Sequence, residues 1–509
     1  MRPTGLMIIL GLVQSTRQNL VSTAQGLVRG VARDGYVSYV GIPYASANVT
    51  GRFKRAGLAP VWNGIREAND PRCMASSQVD KCLQLDIHVS TSDGYPWPVL
   101  VWVKGGNGFY HPGKLVRQGI IVVIVRHRMG ALGFLCTELD QIPGNGGVKD
   151  VVLALRWLRD NIVAFKGNPN KVVVGGESFG AAMVETLMLS QMSRGLFQGA
   201  IMQSGTALSP WAFNYDALLR TNALKEAYND DDNFPDMLFE ANLEDLETKT
   251  GQLEMPYLPF AICVERSFKK EERLLAEPPY ELLSEGKTTP VPLIIGYNNN
   301  EAYIFASVFE KGNVLKRLSD DMTFLIPTEF GDMSARELNQ TREKIKQNYF
   351  RNKNFSTTSL LAYHSDAYFI NHIHRSARLH SSASPYPVFY YQFSHSGETG
   401  VEPESGMDKV GAAHSDELSY LFPENGRSLA GDDGKVQENL VALWSNFVKH
   451  LNPTPHSEDA VLWEPVDYQQ PRLLNIAMET EMIDYPHEKA SEMWDELYEK
   501  YYTRRRKDV

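Results

Sequence analysis

A basic surplus is missing from this sequence: 51 Lys and Arg stand against 61 Asp and Glu, a formal net charge of −10 over 509 residues. Affinity for nucleic acid rests largely on cations that neutralise phosphates, so an acidic chain without a basic stripe argues against a nucleic-acid partner. Cysteine is scarce as well. Cys73, Cys82, Cys136 and Cys263 allow two bridges at most and show no C-x-x-C pairing, which argues against a disulfide scaffold, a zinc site and a redox pair. No segment has the ~18 consecutive apolar residues of a membrane-spanning helix. Repeats and Gly/Ser- or Pro-rich linkers are absent too, so although length alone suggests about three domains, the chain reads as one continuous domain.

With 43% hydrophobic and 22% charged residues, the composition is that of a packed globular protein. Residues 1–18 begin Met1-Arg2-Pro3-Thr4, continue with an apolar run from Gly5 to Val13 and then turn polar, which reads as a secretory signal peptide ahead of a domain over 19–509. The competing reading is a frayed end or short buried strand, which would leave the protein cytoplasmic. Sequons at Asn48, Asn339 and Asn354 would accept glycans in a secreted chain, although a chain this long yields about that many by chance. Arg504 to Lys507 reads as the solvated basic end of a helix starting near Glu488.

Short apolar runs at Pro98 to Val103, Gly119 to Val125, Lys171 to Val174, Pro292 to Ile295 and Val388 to Gln392 predict buried strands. Between them, Val148 to Asn161 carries apolar residues at three- and four-residue spacing, as a helix does. Strands alternating with helices predict an α/β fold, a large, mostly parallel sheet with helices on both faces. Chemistry in such sheets gathers at the carboxyl ends of the strands.

One such end carries Gly176-Glu177-Ser178-Phe179-Gly180, followed by a helical run from Ala181 to Leu189. A G-x-S-x-G turn between strand and helix lifts its serine clear of the sheet, the glycines allowing the strained turn. Spacing alone is weak, since chance gives about 0.2 matches in such a chain; the strand before and helix after strengthen it. A serine hydroxyl needs a base, and the base needs a carboxylate, which in this chain order lie downstream. Glu301 follows the strand ending near Gly296, and His414 lies in the small-residue loop Gly411-Ala412-Ala413-His414-Ser415. His364, His372, His374 and His380 cluster on what reads as a solvated helix face, without the cysteine or carboxylate that would complete a metal set.

These motifs together resemble the type-B carboxylesterases, a cholinesterase-like family of α/β-hydrolases, and look most like its insect esterases. The resemblance runs from Gln25-Gly26-Leu27-Val28-Arg29-Gly30 and Gly41-Ile42-Pro43-Tyr44-Ala45, through Gly130 to Leu135 and Gly176 to Gly180, to Asn452-Pro453-Thr454-Pro455 and Trp494 to Tyr498. It implies a serine hydrolase of small-molecule carboxylic esters that needs no metal or organic cofactor. Ser178 would be the nucleophile, His414 the base and Glu301 its carboxylate, with Ser204 a neighbouring serine that steadies them. It also implies a Cys73–Cys82 disulfide, which leaves Cys136 and Cys263 as expected free thiols. Some members of the family keep the fold without the chemistry, so a silent binding or adhesion protein is the alternative.

The chain departs from the family where the oxyanion would be held. Lys104-Gly105-Gly106-Asn107-Gly108-Phe109 has lysine in place of the family's histidine and one extra residue before the phenylalanine. The best mapping takes the backbone N–H groups of Gly106, Asn107 and Phe179 as donors; losing one such donor costs ~3 kcal/mol of transition-state stabilisation. Phe179 itself stands where the family mostly has alanine, and is expected to narrow the acyl pocket. The short Met74 to Lys81 loop lacks an aromatic residue to hold a quaternary ammonium, which disfavours choline esters. Glu177 is not the glutamine usual in juvenile-hormone esterases, and the physiological ester stays open.

Overall fold

Runs of β-branched and aliphatic residues too short for helices form the middle of a large sheet. The computed structural model describes residues 19–505 apart from 47–50, 71–82, 107, 109, 229–233, 235, 256, 270, 312–313, 352–354, 401–409, 457–460 and 468. The expected signal peptide, the Cys73–Cys82 pair, Asn48, Asn354 and Asn107 therefore lie outside the described residues.

In chain order the strands of this sheet are β1 (Val31–Arg33), β2 (Tyr36–Pro43), β3 (Gln84–Ser90), β4 (Trp97–Val103), β5 (Ile121–Val125), β6 (Gly167–Glu177), β7 (Gly199–Gln203), β8 (Leu293–Asn298), β9 (Val388–Phe393), β10 (Arg472–Ile476) and β11 (Glu481–Asp484). Across the sheet they run β11-β10-β9-β8-β7-β6-β4-β5-β3-β2-β1. Pairing is parallel from β5 through β4 and β6 to β10, and antiparallel at both margins. All five runs expected to be strands are strands, with ends shifted by a few residues. Six strands were not anticipated: the edge strands β1 and β11 are partly solvated and lack an unbroken apolar run, while the largely buried β2, β3, β7 and β10 carry polar residues such as Ser38, Asp86, His88, Gln203 and Asn475 that break or end theirs.

Alternation along each central strand feeds two separate cores. Val99, Val101 and Val103 of β4 pack on one face with Val123, Val174, Met202 and Ile295. Leu100 and Trp102 point to the other face with Val122, Ile124, Ile201, Ile294 and Tyr391. Helices α1 (Gly146–Asn161), α2 (Phe179–Leu189) and α3 (Asn371–Ala383) contribute Val151, Leu155, Val184, Leu187 and Ile373 to the first core. Helix α4 (Gly431–His450) covers the second with Val436, Leu440, Trp444 and Phe447. Each such fully buried aliphatic side chain contributes about 1.5–3 kcal/mol, so the sheet is a rigid base for whatever its loops carry. Helix α5 (Glu488–Arg505) confirms the helix expected near the C-terminus and buries Trp494 and Tyr501 in a third cluster with Phe330 and Tyr363.

Two expectations are corrected. Cys136 and Cys263 are not free thiols; they form a disulfide across 127 residues, with Cα atoms 6.6 Å apart. Connectivity is set by tertiary approach rather than by spacing: Asn145, in the left-handed region at φ 53°, holds the Cys263 segment in place by donating Nδ2–H to Cys263 O (2.8 Å) and accepting from Cys263 N–H (3.0 Å). The four histidines near α3 are buried, not solvated. His374 stacks on Tyr485 at 3.8 Å, His372 lies 3.0 Å from Ala367 O, His364 lies 2.8 Å from Leu360 O, and His380 meets the Glu185 carboxylate at 3.0 Å. Burial pushes the first three down to about 3, 3 and 4, so they are neutral at physiological pH.

A bridge closing so long a loop restricts the unfolded chain strongly. Replacing Cys136 and Cys263 together by alanine is expected to cost about 2–5 kcal/mol of stability, read as a lower denaturant midpoint; an unchanged midpoint would show that the bridge does not constrain this fold.

Candidate active site

The sharp turn after β6 is built by close backbone approach. A Cβ on Gly176 would lie 2.5 Å from the carbonyl carbon of Gly180, and one on Gly180 would lie 2.3 Å from Val103 O, so neither position admits a side chain. Ser178 between them sits at φ 58° and ψ −127° as the residue preceding α2. Such a conformation costs of order 1–3 kcal/mol for a non-glycine residue and persists only when its surroundings impose it. Here they do: Ser178 N–H donates to Gln203 O at 2.8 Å, tying the turn to the end of β7.

Three strand ends converge on this serine. His414 follows β9, and its Nε2 lies 2.8 Å from Ser178 Oγ. Its Nδ1 lies 2.7 Å from Glu301 Oε2, in the turn after β8. The other Glu301 oxygen accepts Asn298 N–H at 2.8 Å, and Ala302 N–H donates to Ser365 Oγ at 3.0 Å, so the fully buried carboxylate has a single orientation. The three residues singled out from sequence thus form one hydrogen-bonded chain, hydroxyl to imidazole to carboxylate.

Two further carboxylates surround the imidazole. Glu177 Oε1 is 3.3 Å from His414 Nε2 and accepts the Ser415 hydroxyl at 2.5 Å. Glu417, fully buried, accepts from Gln203 Nε2 at 2.8 Å and from Asn298 Nδ2 at 2.5 Å. Burial disfavours a charged His414, yet Glu177, Glu301 and Glu417 outweigh it and hold the imidazole up at about 9. Burial pushes Glu177 upward, helped by Glu301 and opposed by His414 and the Ser415 hydroxyl; burial together with the Glu177 charge pushes Glu417 up to about 8. Sequence reasoning did not give Glu177 or Glu417 a role; the available signal was an acid adjacent to the candidate serine and another three residues past the candidate histidine.

The remaining expected site residues are placed less completely. Phe179 is the first residue of α2, where a backbone N–H has no partner inside its own helix. Its ring does not narrow a pocket beside the serine: it is 5% exposed and packs edge-on against Phe134 at 4.9 Å, inside the first core. Gly106 is exposed, with open space where a Cβ would stand. Ser204, fully buried at φ 53°, donates its N–H to Gly296 O at 2.8 Å, while its hydroxyl has no partner among the described residues. Beside His414, Phe369 packs at 4.8 Å between ring centres, and Trp211 lies 5.6 Å beyond. Phe369 belongs to a single π-helical turn, Asp366–Ile370, an irregularity frequent at functional sites.

A mainly parallel sheet whose strand ends present a serine on a tight strand–helix turn, followed in sequence by an acid and a histidine, is the α/β-hydrolase fold. The model of the carboxylesterase family matches residues 17–494. Juvenile hormone esterase of Heliothis virescens is 27% identical, the alignment covering 86% of each chain. Neuroligin-2 of Mus musculus is 26% identical over 96% of this chain and 68% of its own. Among solved structures, juvenile hormone esterase from Manduca sexta, with OTFP covalently attached, superposes with a TM-score of 0.84 at 25% identity, over 94% of this chain and 99% of that one. The chain belongs to the carboxylesterase family.

Proposed function

We propose that this protein hydrolyses small-molecule carboxylic esters through an acyl-enzyme, with Ser178, His414 and Glu301 as its catalytic triad. The observation that carries the reading is the unbroken chain from Ser178 Oγ through both ring nitrogens of His414 to Glu301 Oε2. Ser178 Oγ attacks the ester carbonyl while His414 Nε2 takes its proton; Glu301 fixes the ring and stabilises the imidazolium. The imidazolium then gives its proton to the departing alcohol. Water, activated by the same nitrogen, releases the acid and regenerates the serine. Phe179 N–H and Gly106 N–H are the oxyanion donors in this reading, with Asn107 as the third. Residues 19–509 act as one domain, and the Cys136–Cys263 disulfide favours an oxidising, extracellular setting. Asn339, exposed on the helix Ala335–Tyr349, is the described residue proposed to carry a glycan.

A second reading, a fold-sharing protein without turnover, is favoured by the altered run from Lys104 to Phe109 and by a relative, neuroligin-2, that is not named as an esterase. Turnover of p-nitrophenyl acetate and butyrate separates the two. Wild type is expected to exceed Ser178→Ala by at least about 10³-fold, whereas equal rates in the two proteins would sink the hydrolase reading.

The carboxylates around His414 add a pH dependence. A base accepts a proton only when neutral, so raising the imidazole pKa moves the rise of kcat/KM to higher pH. The apparent pKa is expected above the ordinary 6.5, and Glu177→Gln, which deletes a charge 3.3 Å from Nε2, should lower it. A pH–rate profile that Glu177→Gln leaves in place would show that this carboxylate does not act on the imidazole.

A further inference from the structure

Seven residues beyond Ser178, on α2, lies a carboxylate that the reaction above does not use. Glu185 is fully buried and accepts four hydrogen bonds. One oxygen accepts Ala207 N–H at 2.6 Å together with the Thr206 hydroxyl; the other accepts the Ser376 hydroxyl and lies 3.0 Å from His380 Nε2. An ionised carboxylate has about four lone-pair sites, so its capacity is filled. Burial opposes its charge, but these donors, His380 first among them, more than offset it and hold its pKa below the usual range.

Each donor comes from an element that borders the Ser178–His414 pair. Thr206 and Ala207 follow Ser204 and Gly205, where a Cβ on Gly205 would stand only 2.2 Å from Ser178 O and 3.1 Å from the Trp211 ring. That loop is pressed against the back of the nucleophile turn. Ser376 and His380 lie on α3, which continues directly from the π-helical turn carrying Phe369 against His414. The carboxylate therefore joins three pieces: the helix that Ser178 immediately precedes, the loop behind Ser178, and the helix whose entry flanks the imidazole.

We infer that Glu185 is a positioning residue for the proposed acyl transfer, holding the Gly205–Ala207 loop and the Phe369 wall in register with Ser178 and His414. The inference rests on the hydrolase reading. Small displacements at a reacting centre are costly, since a shift of ~1 Å can cost about a hundredfold in rate. An amide at this position keeps the size but turns two acceptor sites into donors facing donors.

The test is pre-steady-state release of p-nitrophenol from p-nitrophenyl acetate, in which burst amplitude counts competent sites and burst rate measures acylation. Glu185→Gln is expected to keep the wild-type number of competent sites and the wild-type substrate dissociation constant, read from the dependence of burst rate on substrate concentration, while acylation slows about tenfold or more. Ser376→Ala, which removes one donor and leaves the charge, should slow it about two- to fivefold, and it serves as the test if Glu185→Gln does not fold. A reduced amplitude with a wild-type rate per site would mean that the network only supports folding, and unchanged rates would equally overturn the inference. Wild type without burst or turnover would overturn the hydrolase reading and this one with it; a wild-type burst with unaffected variants overturns this one alone.

Discussion

The His414 imidazole meets a serine hydroxyl at one nitrogen and a buried carboxylate at the other, and these two contacts impose demands on everything around them. Both distances are short only if Ser178, Glu301 and His414, each more than a hundred residues from the next in sequence, are brought together by strand ends in fixed register. The parallel sheet supplies that register through side chains alternating into two cores. The loops supply the rest: Asn298, at the end of β8, donates its N–H to Glu301 and its Nδ2–H groups to Glu417 and to Ala413 O, so one residue aligns the acid, the histidine loop and the neighbouring carboxylate.

Carboxyl groups crowd together at this point. Glu177, Glu301 and Glu417 all act on one imidazole, and only Glu301 accepts from Nδ1. Like charges at such separations resist simultaneous ionisation, so protons at this cluster belong to the group rather than to single residues. That crowding favours the imidazolium that the proposed acyl transfer would generate, and it raises the pH at which the free base becomes available.

Much of this was legible in the residues themselves. Ser178 announced itself through strand, turn and helix in immediate succession, Glu301 through a polar loop after an apolar strand, and His414 through a small-residue loop before the apolar Leu421-Phe422. Five of the parallel strands were visible because burial on both faces favours unbroken apolar stretches. Features set by long-range approach were hidden. The Cys136–Cys263 bridge depends on how two loops pack around Asn145, and the burial of His372, His374 and His380 depends on Tyr498, Tyr485 and Glu185, each more than a hundred residues away. Phe179 misled for a related reason: its position beside the serine said nothing of Phe134, which draws the ring into the core.

The central claim is that the Ser178–His414 contact makes Ser178 nucleophilic. Intact mass and peptide mapping after exposure to a dialkyl fluorophosphate test it most directly, in wild type and in His414→Ala. The account predicts one phosphoryl adduct per wild-type chain, located on Ser178, and none in the variant on the same timescale. Equal labelling of both proteins, an adduct on another serine, or no adduct in wild type would contradict it.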